Sequence, residues 1–444
     1  MTGVALVILK AAVAVQSQVP VLTMDEAVSI AERNTFAVRL QQTTVEKDRQ
    51  AMLLALAGLG ATGGFSILFT QNGQETSVSF GSGSPPVVIS PFNTTTGSVS
   101  INLPLDISGN LNRLWAAGKD QYEGSRQSLE ASFNDARLNA RSAYLTVLRN
   151  QSLVTVAEDT LNDAKGRLDQ AKLEFQQQQI ARIDMERFDA QVAQSTSDLL
   201  NAQNNLELSK YALNTVLARP IMTPLQLQDV GELPTIPTDP TMIDKTAQVS
   251  RPESRSLQDQ IKALALIRRA QEQGLNPSLN LGLGHNQNIT TTLLNSQASS
   301  IALTATLNVP VFDSGATRAR VREARQDETT AKITLEQTQL GISQEIRGAF
   351  ANLQSAQARL VNADRQVKLA QEVFRLAKVR QDAGEGTYVE VIDAENTLVQ
   401  ARDGYVSAKY DYFTAYSQLQ HGTGNDNVNL PALGAPPLAP RGNR

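Results

Sequence analysis

Few side chains in this 444-residue chain are of the kinds that carry out covalent or metal chemistry. There is no cysteine, which removes thiol nucleophiles, thiolate metal sites and disulfide staples. The two histidines, His285 and His421, cannot build a multi-histidine metal cluster; one lies beside a predicted strand end and the other at the last helix end, so loop and cap roles suit them. No phosphate loop, nucleophile triad or metalloprotease helix occurs, and the chain reads as a non-enzyme with no cofactor. Glu390 and Asp393 do stand out, because residues three apart share one face of a helix. By themselves they suit either the acids of a charged constriction or solvated acids of a first helical turn, favoured by the helix dipole. With 40 basic and 44 acidic side chains the formal net charge is −4, which argues against a nucleic-acid partner.

The elements that would position such residues follow from an internal repeat. The stretch NLPLDISG at Asn102 to Gly109 returns as NVPVFDSG at Asn308 to Gly315, an offset of 206 residues. The offset persists without a gap through Arg141 and Arg347, Tyr144 and Phe350, Ala171 and Ala377, and Leu213 and Leu419. Each copy opens with a helical segment, Thr23 to Leu59 and about Ile243 to Gln273. Two alternating segments follow. Phe65, Ile67 and Phe69, then Val99, Ile101, Leu103 and Leu105, predict strands with one apolar face; the second copy offers Leu279, Leu281 and Leu283, then Ile301 to Val311. The intervening stretches, Gln71 to Thr96 and His285 to Ser299, read as exposed loops.

Past Ser108 and Ser314 the period turns helical, with no proline and no glycine pair for roughly 67 residues, or about 100 Å at 1.5 Å per residue. Breaks follow at Gln176 to Ala181 and Asp382 to Thr387, then return helices about half as long, Asp184 to Leu217 and Glu390 to Gly422. The predicted organisation is a residual signal or irregular extension over 1–20, a first repeat over 21–219, a Pro-rich linker over 220–242, a second repeat over 243–421 and a loose tail over 422–444. Pro104 and Pro310 sit late in the predicted strands, and with Gly109 and Gly315 they mark a strand-to-helix hinge in both copies. Gly384 and Gly386 suit a tight turn.

The predicted fold class is mostly α with a small β part, built from internally duplicated long helical hairpins. Four strands with one apolar face cannot stand alone in lipid, because their edge groups have no partners there. Three copies would supply twelve strands, an even number within the range of outer-membrane barrels. The chain is thus expected to form a homotrimer, its barrel in outer-membrane lipid and its helices continuing the wall as an α-barrel tunnel.

At this point the sequence resembles the TolC family of outer-membrane efflux channels. The features that carry the likeness are LTMDEAVSIAERN at Leu22 to Asn34, the paired junctions NLPLDISG and NVPVFDSG, and AGEGTYVEVIDAENTL at Ala383 to Leu398. The resemblance covers roughly Val21 to Thr423. It implies a trimeric twelve-stranded transmembrane barrel in the outer membrane of a Gram-negative (diderm) bacterium and a helical tunnel in the periplasm. It also implies export of small molecules, drugs or proteins with a periplasmic adaptor and an inner-membrane pump of the RND, ABC or MFS class. By the family's GT-x-x-x-V-x-D-A pattern, Glu390 and Asp393 would ring the closed aperture, six carboxylates under threefold symmetry. The offset pairs Glu390 with Asp184 but Asp393 with Arg187, so the repeat breaks there. Asp184 joins the expected gate, with Arg182 or Arg187 as latch, since Gly386 stands where the best-known members carry a linking arginine. Gly384, Gly386 and Thr387 form the tip at which an adaptor would touch. The alternative is a soluble coiled-coil scaffold, which needs sustained apolar heptads and leaves the four strands without a role.

Overall fold

The computed structural model describes residues 21–81, 83, 85–231, 233–234, 247–290 and 299–424. The expectations for 1–20, for linker residues 235–242, for the start of the second repeat at 243–246 and for the tail beyond 424 lie outside these residues. Strand β1 (Val21–Leu22) leads into α1 (Met24–Asn34) and α2 (Phe36–Ala57). Next come β2 (Thr62–Gln71), β3 (Thr76–Val78), β4 (Val87–Ser90), β5 (Asn93–Leu105), α3 (Asn110–Gln176), α4 (Arg182–Val216) and β6 (Gln226–Leu227). The second half holds α5 (Pro252–Gln271), β7 (Ser278–Asn288), β8 (Ser299–Asn308), α6 (Ala316–Asp382) and α7 (Tyr388–Thr423).

Helices α3 and α6 have 67 residues each and start 206 positions apart, as do α4 and α7. Burial keeps the same register: Ala140 and Ile346, Val147 and Leu353, and Leu213 and Leu419 are all buried. The duplication is therefore one of packing and not of letters alone. The first predicted helix is divided. Its start is fixed by a capping box in which Thr23 Oγ1 accepts from Glu26 N and Glu26 Oε2 from Thr23 N. It stops at Thr35, whose backbone is extended at ψ 134° and whose hydroxyl donates to Val216 O at 3.1 Å. A bond to a residue 181 positions away overrides the local preference for helix.

The chain forms two compact units. One takes its described residues from 1–39, 133–244 and 345–444, the other from 40–132 and 245–344. In the first, Leu22, Ala27, Ala31, Tyr144, Leu145, Leu213, Leu217 and Phe413 belong to one buried cluster. The parallel pair of β1 with β6 closes over it, and the Tyr144 hydroxyl reaches both Leu22 O (2.8 Å) and Gln228 O (2.6 Å). Burial pushes that phenol up to about 12, so it stays a donor at any physiological pH.

In the second unit, β2, β5, β7 and β8 make an antiparallel sheet in that order. The register aligns Phe65 with Val99, His285 and Ile301, and in a neighbouring row Ile101 with Leu283 and Leu303. Leu105, Leu279 and Leu307 form a further row. Since side chains alternate between faces, all of these lie on one side. The other side carries Ser66, Ser98, Asn286 and Ser300, then Thr62, Asn102, Gly282 and Thr304. The apolar face is open to solvent in the single chain: Leu303 is 80% and Ile301 76% exposed. Each edge strand, β2 and β8, pairs on one side only.

Three details differ from expectation. The stretch Gln71 to Thr96 is not a plain loop, because β3 and β4 pair as a small hairpin and β5 begins at Asn93. His285 lies inside β7, opposite Val99 and Ile301, and not in a loop or cap. Pro104 is within β5 opposite Asn280, whereas β8 ends at Asn308 and leaves Pro310 beyond the strand. In both copies the turn after the strand uses a left-handed glycine, Gly109 at φ +68° and Gly315 at φ +86°. Among the described residues no helix is long and apolar enough to cross a membrane.

Candidate functional site

The turn between α6 and α7 is shaped by its glycines. Gly384 adopts φ +74°, and a Cβ on Gly386 would sit 3.0 Å from Gln381 N and 3.2 Å from the Arg380 carbonyl carbon. Arg380 O accepts from both Glu385 N (2.9 Å) and Gly386 N (3.0 Å), which draws the chain back onto the end of α6. Thr387 then caps α7, its Oγ1 accepting from Glu390 N at 3.2 Å. In the first copy Gln178 stands at the position of Gly384, also with positive φ (57°). Gly386→Ala is expected to destabilise the chain by about 1–3 kcal/mol, the cost of forcing backbone apart at an over-packed site, read in urea unfolding. A change within error would show that the turn yields freely.

Around this turn the predicted gate residues separate into local groups. Glu390 pairs with Arg380 (Oε2 to Nη1, 3.2 Å), both about half exposed. Asp393 is exposed and has no ion-pair partner among the described residues. Asp184 meets Arg187 within its own helix at 3.6 Å, and Arg182 meets Glu186 at 3.2 Å. Within one chain, then, the arginines expected as a latch join neighbours three or four residues away. Exposed pairs of this kind contribute under about 1 kcal/mol each. Glu390, in its pair with Arg380, and Asp393 both remain on the surface.

At the strand-to-helix junctions the first turns are closed by aspartates. Asp106 accepts from Leu111 N (3.1 Å) and Asn112 N (2.8 Å); Asp313 accepts from Gly315 N (3.0 Å) and Thr317 N (2.6 Å). Together with Gly109 and Gly315 they fix the change from strand to helix in both copies.

The geometry is thus a duplicated pair of 67-residue helices, half-length return helices and a four-stranded sheet with one apolar face. A family model described as outer membrane efflux protein matches residues 75–219 and 245–425. This chain belongs to that family. The efflux-family chain is 22% identical over 336 residues to outer membrane efflux protein BepC of Brucella suis, covering 74% of this chain and 72% of that protein. It is 24% identical over 323 residues to cobalt-zinc-cadmium resistance protein CzcC of Cupriavidus metallidurans, 71% of this chain and 73% of that one. The structure of the Campylobacter jejuni CmeC outer membrane channel shares its fold, with TM-score 0.78 at 16% identity over 90% of this chain and 85% of CmeC. The likeness to TolC read from the sequence is thereby shown at the level of family and fold. It is a transport family and not an enzyme family.

Near the turns, the efflux-family chain carries cross-helix ties that the sequence did not reveal. Arg167 of α3 forms an ion pair with Glu395 of α7, and its guanidinium carbon lies 4.8 Å from the Phe374 ring centroid. Glu395 is 4% exposed; burial pushes its carboxyl up, and the Arg167 charge holds that rise in check. Tyr388 donates to Glu174 Oε2 at 2.9 Å and meets Phe188 edge-on at 5.6 Å between ring centroids. Burial and the Glu174 carboxylate push the Tyr388 phenol up to about 12. Gln191 Nε2 donates to Asn396 Oδ1 at 3.1 Å, tying α4 to α7. One sign was available: the 206-residue offset sets Asp189 against Glu395, an acid in both copies, while Arg167 faces Val373.

Proposed function

We propose that three copies of this chain join β2 of one to β8 of the next and close a twelve-stranded barrel in the outer membrane of a diderm bacterium. The helices would continue from it as a periplasmic conduit. It would export small molecules, drugs or proteins together with a periplasmic adaptor and an inner-membrane pump of the RND, ABC or MFS class. One observation carries this reading: a sheet apolar on one face, polar on the other and unpaired along both edges. Lipid satisfies the apolar face, whereas the edge amides and carbonyls need strands as partners. Neither need is met in a soluble coiled-coil scaffold.

Glu390, Asp393 and Asp184 are the proposed gate. Arg182 and Arg187 serve as latch once neighbouring copies approach, by leaving their intrahelical partners. Pro104, Gly109, Pro310 and Gly315 form the hinge from barrel to helix, and Gly384, Gly386 and Thr387 the tip offered to the adaptor. Exposed carboxylates brought together by threefold symmetry repel one another and attract cations, which fixes the expected sign of the gate's selectivity.

The assembly is tested by light scattering, with detergent subtracted, on protein extracted from fractionated outer membranes. A mass near three times 48.0 kDa supports it; a monomer that needs no detergent overturns barrel, conduit and export together. The gate is tested in planar bilayers. Glu390→Gln with Asp393→Asn is expected to lower the cation-over-anion permeability ratio severalfold and to weaken block by divalent cations. Unchanged ratios would remove these residues from the gate.

A further inference from the structure

Midway along the return helices, α3, α4 and α7 of a single chain line a half-open cavity of about 270 Å³, with Asp198 at its exposed side. Its lining is of three kinds. Asp198 of α4 and Asp403 of α7 supply carboxylates, three asparagines and a threonine supply neutral polar groups, and Leu153, Val156 and Val399 are aliphatic. Asp198 Oδ1 is held by Gln194 Nε2 at 2.9 Å, and Asp403 has no ion-pair partner among the described residues. Ser195, also in the lining, is 2% exposed and its hydroxyl has no hydrogen-bond partner among the described residues. A buried hydroxyl left unpaired costs roughly 1–3 kcal/mol, so an occupant that pairs with Ser195 gains from entering. Burial, and then the charge of Asp198, push the Asp403 carboxyl up, which is the response of a site short of positive charge.

Divalent metal ions do not suit this lining. No three acids or histidines among the described residues are grouped to hold a metal, and a bare ion would leave the aliphatic part of the wall uncovered. The volume is also many times one water's share of about 30 Å³. A cation that carries its own hydrocarbon meets the charged and the aliphatic parts of the wall. We propose that this cavity binds an organic ammonium, Asp198 and Asp403 taking its charge, Ser195 Oγ accepting one of its N–H bonds, and Leu153 and Val399 covering its methylenes. All of its lining lies in one chain and one compact unit, so the site stands apart from barrel closure and from the tip carboxylates.

Calorimetry on the detergent-solubilised full-length protein tests this, in a Glu390→Gln/Asp393→Asn background that silences the tip. Cadaverine is the probe, with 1-pentanol as the stem without charge and Mg²⁺ as charge without stem. One cadaverine per chain is expected, bound at least tenfold more weakly after Asp403→Asn and severalfold more weakly after Ser195→Ala, with neither control displacing it. If Asp403→Asn fails to fold, the Ser195→Ala result decides. Absence of saturable binding, indifference to both substitutions, or equal displacement by Mg²⁺ would overturn the assignment.

Discussion

Leu303→Arg is expected to eliminate the outer-membrane form of the protein, whereas Ala302→Arg, one residue earlier, leaves it largely intact. The two positions are neighbours in the middle of β8 and share the same backbone, but they point to opposite faces of the sheet. Leu303 belongs to the row with Ile101 and Leu283 and is 80% exposed in the single chain. An arginine facing lipid near the bilayer midplane costs about 2–4 kcal/mol, and a trimer would bear the cost three times. Ala302 lies opposite Gly284, where a Cβ would meet nothing within 4 Å, so an arginine at 302 has room on the polar face. Quantifying the heat-resistant or detergent-stable trimer in membrane fractions separates the two. Equal loss in both variants would deny that the two faces meet different solvents.

The second large effect concerns the tie between α3 and α7. Arg167→Ala is expected to lower the unfolding free energy by about 3 kcal/mol, because it strands the Glu395 carboxylate, 4% exposed, without its counter-charge. Glu395→Gln should cost less, about 1 kcal/mol, since Arg167 keeps the Phe374 ring and part of its solvent contact. The pH dependence has a definite sign. Burial already raises the folded-state carboxyl above its ordinary 4.5, and without Arg167 only the smaller pull of Arg402 restrains that rise. The folded state then binds the proton more tightly than the unfolded state. The deficit of Arg167→Ala is therefore largest above the folded value and shrinks as pH falls through it toward 4.5. Urea unfolding of both variants between pH 7 and roughly 5 checks the order and the slope. Equal costs for the two substitutions, or a deficit that grows on acidification, would contradict the account.

What was legible in the sequence was the part that repeats or alternates. Helices α3 and α6 show themselves because 67 residues pass without proline, and the 206-residue offset confirms each by the other. Strands β2, β5, β7 and β8 show themselves through period-two apolar positions. Contacts between distant positions were hidden. Arg167 and Glu395 are 228 residues apart, and the bond that breaks the first helix at Thr35 spans 181. The aspartate caps were obscured for another reason: Asp106 and Asp313 differ by 207 positions, so an offset of 206 aligns them with Phe312 and Ile107. Both do the same work from slightly different geometry. The hairpin of β3 and β4 is too short, and too rich in glycine and serine nearby, to raise a periodic signature.

The two free edges of the sheet are not alike, one being β2 and the other β8. Copies that join through them add head to tail, and every copy added presents the same pair of unlike edges again. Such growth has no intrinsic end. It terminates only when the arc turned by four strands divides the full circle, and a small error in that arc yields a spiral ribbon in place of a ring. In the proposed ring, twist and coil in this short sheet would therefore act as a counting device. A substitution that flattened it, while leaving every strand folded, would change how many chains assemble before any other property of the protein was touched.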